Sequence, residues 1–152
     1  MELGVVTVIL AILAAVVTMP GDIDDSTAID LAQIQLNDAF EIARTRAYSL
    51  GIPHGVVFDV ENNRYAVVAQ DGTPTADPLT HGDYIIDFSA PGQHQGLRLQ
   101  FANFGITGPA GIFDGNGIPV ASGLITLANN DESRTFLLDA ATGSLSATEP
   151  GG

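Results

Sequence analysis

Three histidines, His54, His81 and His94, and eighteen carboxylates are the side chains of this 152-residue chain best able to hold a metal or move a proton. Their spacing does not gather them. No H-E-x-x-H or H-x-H pattern sets two imidazoles on one face, as a metal site requires. No G-x-S-x-G presents a nucleophilic serine. Asp24/Asp25 and Asp131/Glu132 are adjacent in sequence, which is poor placement for two groups sharing a substrate. The chain contains no cysteine, so thiolate catalysis, disulfides and cysteine-ligated zinc are excluded. Asp114-Gly115-Asn116-Gly117 alternates oxygen ligands with glycine, as calcium loops do. A 12-residue calcium loop needs a glutamate further on, whereas Ile118-Pro119-Val120 follow here. Asp114 and Asn116 are therefore calcium candidates set against a simpler reading as a tight turn; Asp71-Gly72 and Asp77 offer less. The expectation is a chain without enzymatic activity or cofactor, wearing a solvated acidic surface.

The elements that position these residues follow from two periodicities. Over residues 26–50, Ile29, Ala32, Leu36, Phe40, Ala43, Ala47 and Leu50 recur at steps of three and four, predicting an amphipathic helix. Ser26 or Thr27 can cap it, with Asp30 completing a capping box for Thr27. Gly51 and Pro53 stop it. Gln33, Asn37, Glu41 and Thr45 are left for water. Beyond Gly51 the period becomes two. Strands are expected at His54–Val60, Arg64–Gln70, Tyr84–Phe88, Leu97–Phe101, Leu124–Ala128, Arg134–Asp139 and Ser144–Ser146, with Glu61-Asn62-Asn63 as a hairpin loop. Asp71–Asp83, Ser89–Gly96, Gly105–Gly117 and Asn129–Glu132 read as turns. The plan is α+β: one long helix packed on an antiparallel β-sheet of six or seven short strands. Residues 51–146 form the β-rich globular part, and 147–152 a frayed tail.

Charge narrows the partners. Thirteen Asp and five Glu stand against five Arg and no Lys, a net charge of −13. Cationic partners or a saline setting suit that balance, whereas phosphate backbones are held by clustered Lys and Arg. Segment 130–152 has Arg134 as its one cation beside Asp131, Glu132, Asp139 and Glu149, so no nucleic-acid partner is expected. A hydrophobic share of 45% and a mean hydropathy of +0.25 exclude a disordered acidic chain. The length fits one compact domain and an appendage.

The appendage is residues 1–20. Leu3 to Met19 is a 17-residue apolar run in which only Thr7 and Thr18 are polar, and a helical threonine can return its hydroxyl to a carbonyl of its own helix. As a helix the run spans roughly 25 Å, slightly under a hydrocarbon core of about 30 Å. Leu3, Val6, Ile9, Leu10, Ile12, Leu13, Val16 and Val17 leave no polar stripe, unlike a soluble core helix. Pro20-Gly21 breaks it, and Asp22, Asp24 and Asp25 follow. A cleavable secretory signal wants a basic start and a small-x-small site, but Met1-Glu2 opens the run and Val16-Val17-Thr18-Met19 closes it. A plain membrane anchor is a second reading. The third accounts for Glu2. A carboxylate at the bilayer centre costs about 2.5–3.5 kcal/mol and less near the interface. Glu2 either lies among headgroups or pairs with a positive group such as the terminal ammonium of a neighbouring copy, which would make the apolar helices an assembly surface. No Lys or Arg precedes Arg44, so positive-inside bias gives no orientation; the acidic cluster after Pro20 is compatible with the outer side.

Glu2-Leu3, the run VVTVILAILAAVVTMP, the Ile12-Leu13-Ala14-Ala15 stretch and Pro20 resemble the N-terminal segment of type IV pilins and type II secretion pseudopilins. Ala39–Val68, with Ala43-Arg44 and Ala47 leading into a valine-rich strand and hairpin, resembles the minor-pilin subfamily of secretion pseudopilin H and pilus protein T. Ser133–Asp139 followed by Thr142-Gly143 is similar to the ending of that subfamily. The resemblance implies a pilin-like fold, with the embedded helix continuing into the amphipathic one. It implies a structural subunit of a secretion or pilus filament, anchored in the cytoplasmic membrane with its globular domain outside. The partners it implies are other pilin or pseudopilin subunits, an inner-membrane assembly platform and lipid, with Glu2 neutralising the terminal amine of an adjoining subunit. Some pilus relatives in the subfamily capture DNA through basic C-terminal residues, which are missing here. From another class, a membrane-tethered extracytoplasmic binding module would use the loops at 71–83 and 105–123. The family's precursor carries a short basic leader ending in glycine, and this chain starts one residue before Glu2. An in-frame leader with Lys or Arg and a terminal Gly is therefore expected upstream of Met1; genomic sequencing checks this, and a stop codon with no such leader contradicts it.

Overall fold

The computed structural model describes residues 25–90, 96–130 and 132–148. Helix α1 (Asp25–Leu50) is 26 residues long. Ile29, Ala32, Leu36, Phe40, Ala43 and Ala47 are all buried, because steps of three and four keep them on one face. The helix ends at Gly51, whose φ of +65° is a left-handed stop. Two expectations fail at its ends. Ser26 and Thr27 lie inside the helix rather than capping it, and Asp30 is committed to Arg134. Leu50, the last member of the predicted stripe, is 60% exposed, since the chain turns at Gly51 before β1 begins and the last turn projects beyond the residues beneath it.

The strands are β1 (His54–Asp59), β2 (Arg64–Ala69), β3 (Ile85–Asp87), β4 (Leu97–Asn103), β5 (Ala110–Phe113), β6 (Gly123–Asn129), β7 (Glu132–Leu138) and β8 (Leu145–Ala147). A 3-10 turn, Gly105–Thr107, precedes β5. Among the described residues they form two four-stranded antiparallel sheets instead of one, ordered β3-β2-β1-β5 and β4-β6-β7-β8. Strand β5 falls inside a stretch expected to be all turn; it pairs with β1, setting His54 opposite Phe113 and Val57 opposite Ala110. Pairing also passes the expected tail boundary. Ala147 lies opposite Phe136, and the Thr148 amide donates to the Thr135 carbonyl. Residues 149–152 are outside the described part.

Both sheets turn one face to α1. Val56, Phe58, Tyr65 and Val67 come from the first and Ile125, Leu127, Phe136 and Leu138 from the second, all buried. Phe40 of α1 sits among Phe58, Phe104 and Phe113, with ring centroids 6.1, 6.3 and 6.2 Å away. Phe58 and Phe104 stack at 5.9 Å. Gly123 makes room for Phe104: a Cβ there would lie 2.0 Å from the Phe104 ring.

Asn63, at the tip of the β1–β2 hairpin, joins the two sheets. Its backbone is left-handed, with φ of 57°, a region asparagine tolerates better than most residues. Its side-chain Nδ2 donates to the Leu97 carbonyl at 3.0 Å, and its Oδ1 accepts from the Leu99 amide at 2.7 Å. The amide thus stands in for a strand partner on the edge of β4, just before the irregularity between Leu99 and Phe101. Asn63→Ala is expected to lower unfolding free energy by about 2–3 kcal/mol, from two hydrogen bonds of ~1 kcal/mol each and the left-handed backbone. Asn62→Ala, which loses an exposed bond to Asp59, should cost under about 1 kcal/mol. Urea unfolding of both variants measures the difference.

Candidate functional site

Glu2 and the apolar residues Leu3, Val6, Ile9, Leu10, Ile12, Leu13, Val16 and Val17 lie outside the described residues, as does His94. What is described is the helix that follows them and the contacts fixing its two ends. Near the first end, Arg134 of β7 reaches across to α1. Its Nη1 donates to Asp30 Oδ1 and, at 3.3 Å, to Gln33 Oε1; its Nη2 donates to Glu132 Oε1 at 3.1 Å. The bond to Asp30 is the largest of the effects holding the guanidinium pKa above its ordinary value. The cation that stood out by sequence as the only one in 130–152 is thus spent on the fold. It orients the start of α1 against the second sheet.

At the other end, the Asp114–Gly117 loop lies on the helix terminus. Asp114 Oδ1 accepts from the amides of Asn116 at 2.9 Å and Ile118 at 3.1 Å, and the Gly117 amide donates to the Asp114 carbonyl at 2.8 Å. These bonds close the turn after β5. Gly115 meets the Gly51 carbonyl so closely that a Cβ would lie 2.6 Å from its oxygen, whereas a Cβ on Gly117 would lie 3.3 Å from Tyr48 Cβ. The glycines of this turn permit its contact with the helix.

The histidines stay apart. His54 is buried in β1 with Nδ1 2.8 Å from the Ile52 carbonyl oxygen, and His81 occupies a left-handed turn with φ of 64°. Among the described residues, no three His, Asp or Glu side chains cluster as metal ligands do. No described helix is long and apolar enough to cross a membrane. The loop 71–83 is folded onto the first sheet: the Thr75 amide donates to Val67 O, the Tyr84 amide to Thr75 O, and Arg46 of α1 holds the Ala76 carbonyl at 2.8 Å. Open clefts of about 680 Å³ lie elsewhere, beside β4, where Asn63, Arg98 and Gln100 line the space.

Beneath that loop, Asp38 is half-buried near Tyr65 and Tyr84. Burial, reinforced by Glu41, raises the Asp38 carboxyl above its ordinary 3.8. Burial likewise pushes both phenols up. Nothing in the sequence marked Asp38, because it lies two positions from both Leu36 and Phe40, off the apolar stripe, and reads as solvated.

No protein-family model and no curated protein sequence matches the chain. Two solved structures share its fold. The minor pseudopilin EpsH from the type 2 secretion system of Vibrio cholerae superposes with a TM-score of 0.55 at 14% identity, covering 81% of this chain and 98% of that one. The type IV minor pilin FimU of Pseudomonas aeruginosa superposes with a TM-score of 0.52 at 20% identity, covering 79% and 87% respectively. A long helix laid on antiparallel sheets in this arrangement is the pilin fold, and the resemblance read from the sequence is borne out at the level of the fold.

Because Asp38 keeps its proton to higher pH in the folded chain than in the unfolded one, its contribution to stability is greatest in acid. That contribution declines as pH rises from 3.8 through the higher folded value. Asp38→Asn is therefore expected to raise the melting temperature at neutral pH, with the gain vanishing below about pH 3. Thermal unfolding of both proteins across pH measures it.

Proposed function

We propose that this chain is a structural subunit of a pilin-like filament, of the type II secretion or type IV pilus kind, and acts without enzymatic chemistry. The observation that carries the reading is a coincidence of two features in one polypeptide. The minor-pilin fold has α1 as its spine, and residues 3–19, an apolar run opened by Glu2, stand immediately ahead of that helix in sequence. In this reading the run lies in the cytoplasmic membrane before assembly and the chain from residue 21 onward lies outside. An assembly platform withdraws the run from lipid, and the apolar faces of neighbouring subunits replace the bilayer around it. No water competes for backbone hydrogen bonds in either setting, so a helix suits both.

Glu2 gives the bundle its register. An unpaired carboxylate in such surroundings is costly, and a terminal ammonium on the adjoining subunit removes that cost only when the two are level. Pilin and pseudopilin subunits are the partners, and the strongly acidic domain coat argues against a nucleic-acid groove. Glu2→Ala in the full-length precursor is expected to leave membrane insertion intact and to abolish filament assembly. Immunoelectron microscopy of sheared filaments with a membrane-fraction blot reads both, and filaments at normal abundance would remove the role assigned to Glu2.

A further inference from the structure

Strand β4 breaks its own alternation. Leu97 and Leu99 are buried, so a regular strand would send Phe101, two residues further on, to the same inner face. The register with β6 slips between Leu99 and Phe101, and Phe101 lies opposite Thr126, on the face away from the buried Ile125 and Leu127. The ring is 46% exposed there. Bulges re-aim side chains in this way and recur beside functional sites. Phe101 borders an open cleft of about 680 Å³ between β4 and the tip of the β1–β2 hairpin, together with Val60, Glu61, Arg98, Gln100 and Thr126. Small-molecule sites have volumes of roughly 300–1,000 Å³. Glu61, Arg98 and Gln100 are exposed, and none of them has a hydrogen bond or ion pair among the described residues. The other four arginines are committed, Arg44, Arg64 and Arg134 to carboxylates and Arg46 to the Ala76 carbonyl.

We propose that this cleft binds a neutral oligosaccharide, with Phe101 stacked on one sugar ring and Glu61, Arg98 and Gln100 bonded to its hydroxyls. Other ligand classes fit less well. A peptide strand added to the edge of β4 would need the Leu97 carbonyl and the Leu99 amide, and Asn63 already holds both. A nucleic acid or an anionic polysaccharide would meet one arginine beside a glutamate, on a chain of net charge −13. A wholly apolar ligand would strip water from that arginine and glutamate and give them no partner. A pyranose ring instead presents an apolar C–H face and a rim of hydroxyls that both donate and accept. The face suits the exposed phenylalanine. The rim suits the polar set, because a guanidinium donates, a carboxylate accepts and a carboxamide does both. Thr126 lies on the outer face of the sheet, its hydroxyl bonded to that of Thr135 at 2.9 Å. Exposed partners in an open cleft give weak binding, with a Kd on the order of 1 mM. The site lies wholly within one domain, so its failure would leave the filament reading standing.

The full-length chain in zwitterionic micelles, free of detergents with sugar headgroups, is tested by saturation-transfer NMR against cellohexaose, maltohexaose and chitohexaose. Transfer to the ring protons of at least one hexaose is expected. Phe101→Ala should reduce it about fivefold, whereas Phe101→Tyr should retain it. Arg98→Gln and Glu61→Gln should each reduce it about threefold. Ile106→Ala, at a position 89% exposed in the turn after β4, should leave it unchanged. Melting temperatures matching the parent chain establish that the variants fold. No transfer to any hexaose, or transfer that survives Phe101→Ala, would overturn the proposal. So would stronger transfer to hexagalacturonate, or transfer to a Val-Thr hexapeptide in place of the sugars.

Discussion

The ring of Phe40 is the contact on which the rest of the molecule depends. It enters from α1 between two sheets that share no strand, and touches Phe58 and Phe113 from the first sheet and Phe104 from the segment after β4. Burying one such ring is worth about 1.5–3 kcal/mol, and each well-placed aromatic pair adds about 0.5–1.5 kcal/mol. Neither sheet can bury its apolar face alone, because each has four short strands and one side to cover. The helix covers both at once. The small residues Ala32, Ala39, Ala43 and Ala47 let it approach closely, while Ile29, Leu36 and Phe40 fill the space between.

Two peripheral contacts then fix where the ends of that helix point. Arg134 draws the first turns toward β7 through Asp30 and Gln33. The Asp114–Gly117 loop closes over the last turn. In the proposed role this matters more than any pocket. A subunit whose N-terminal run must lie parallel to its neighbours' needs a spine held rigidly relative to its domain, and α1 is tied at both ends and along its inner face. The fold shared with EpsH and FimU at only 14% and 20% identity fits that economy. Such a fold asks for a buried helical face and two covered sheets, which many sequences can supply.

Much of this was legible in the residues. The helix is a run of threes and fours from Ile29 to Ala47, and seven of the eight described strands carry enough alternation or β-branched content to be seen. Strand β5 escaped because Ala110-Gly111-Ile112-Phe113 is four residues long, holds a glycine and lies between glycine-rich turns, so only its pairing with β1 makes it a strand. The division into two sheets escaped for a related reason: pairing between β1 and β5 joins residues as far apart as His54 and Phe113, and local patterns do not encode it. Leu50 shows the opposite failure, since periodicity continues to the last turn of a helix whether or not anything lies beneath it. At the site level, Asn63 read as a loop residue, and Asp114 as a tight-turn residue set against a calcium ligand. Both carboxamide and carboxylate are engaged with backbone amides, a use that depends on tertiary position and leaves no mark on spacing.

The claim that one helix face unites two otherwise separate sheets is tested most directly by Phe40→Ala, with unfolding followed at single amides through hydrogen exchange. Val67 in β2 and Leu127 in β6 report the two sheets. Shared dependence on the helix predicts that both amides lose protection together, by about 3–5 kcal/mol, in one cooperative opening. Retention of native protection at Leu127 while Val67 is lost, or the reverse, would mean that each sheet stands without the other, and would contradict the account.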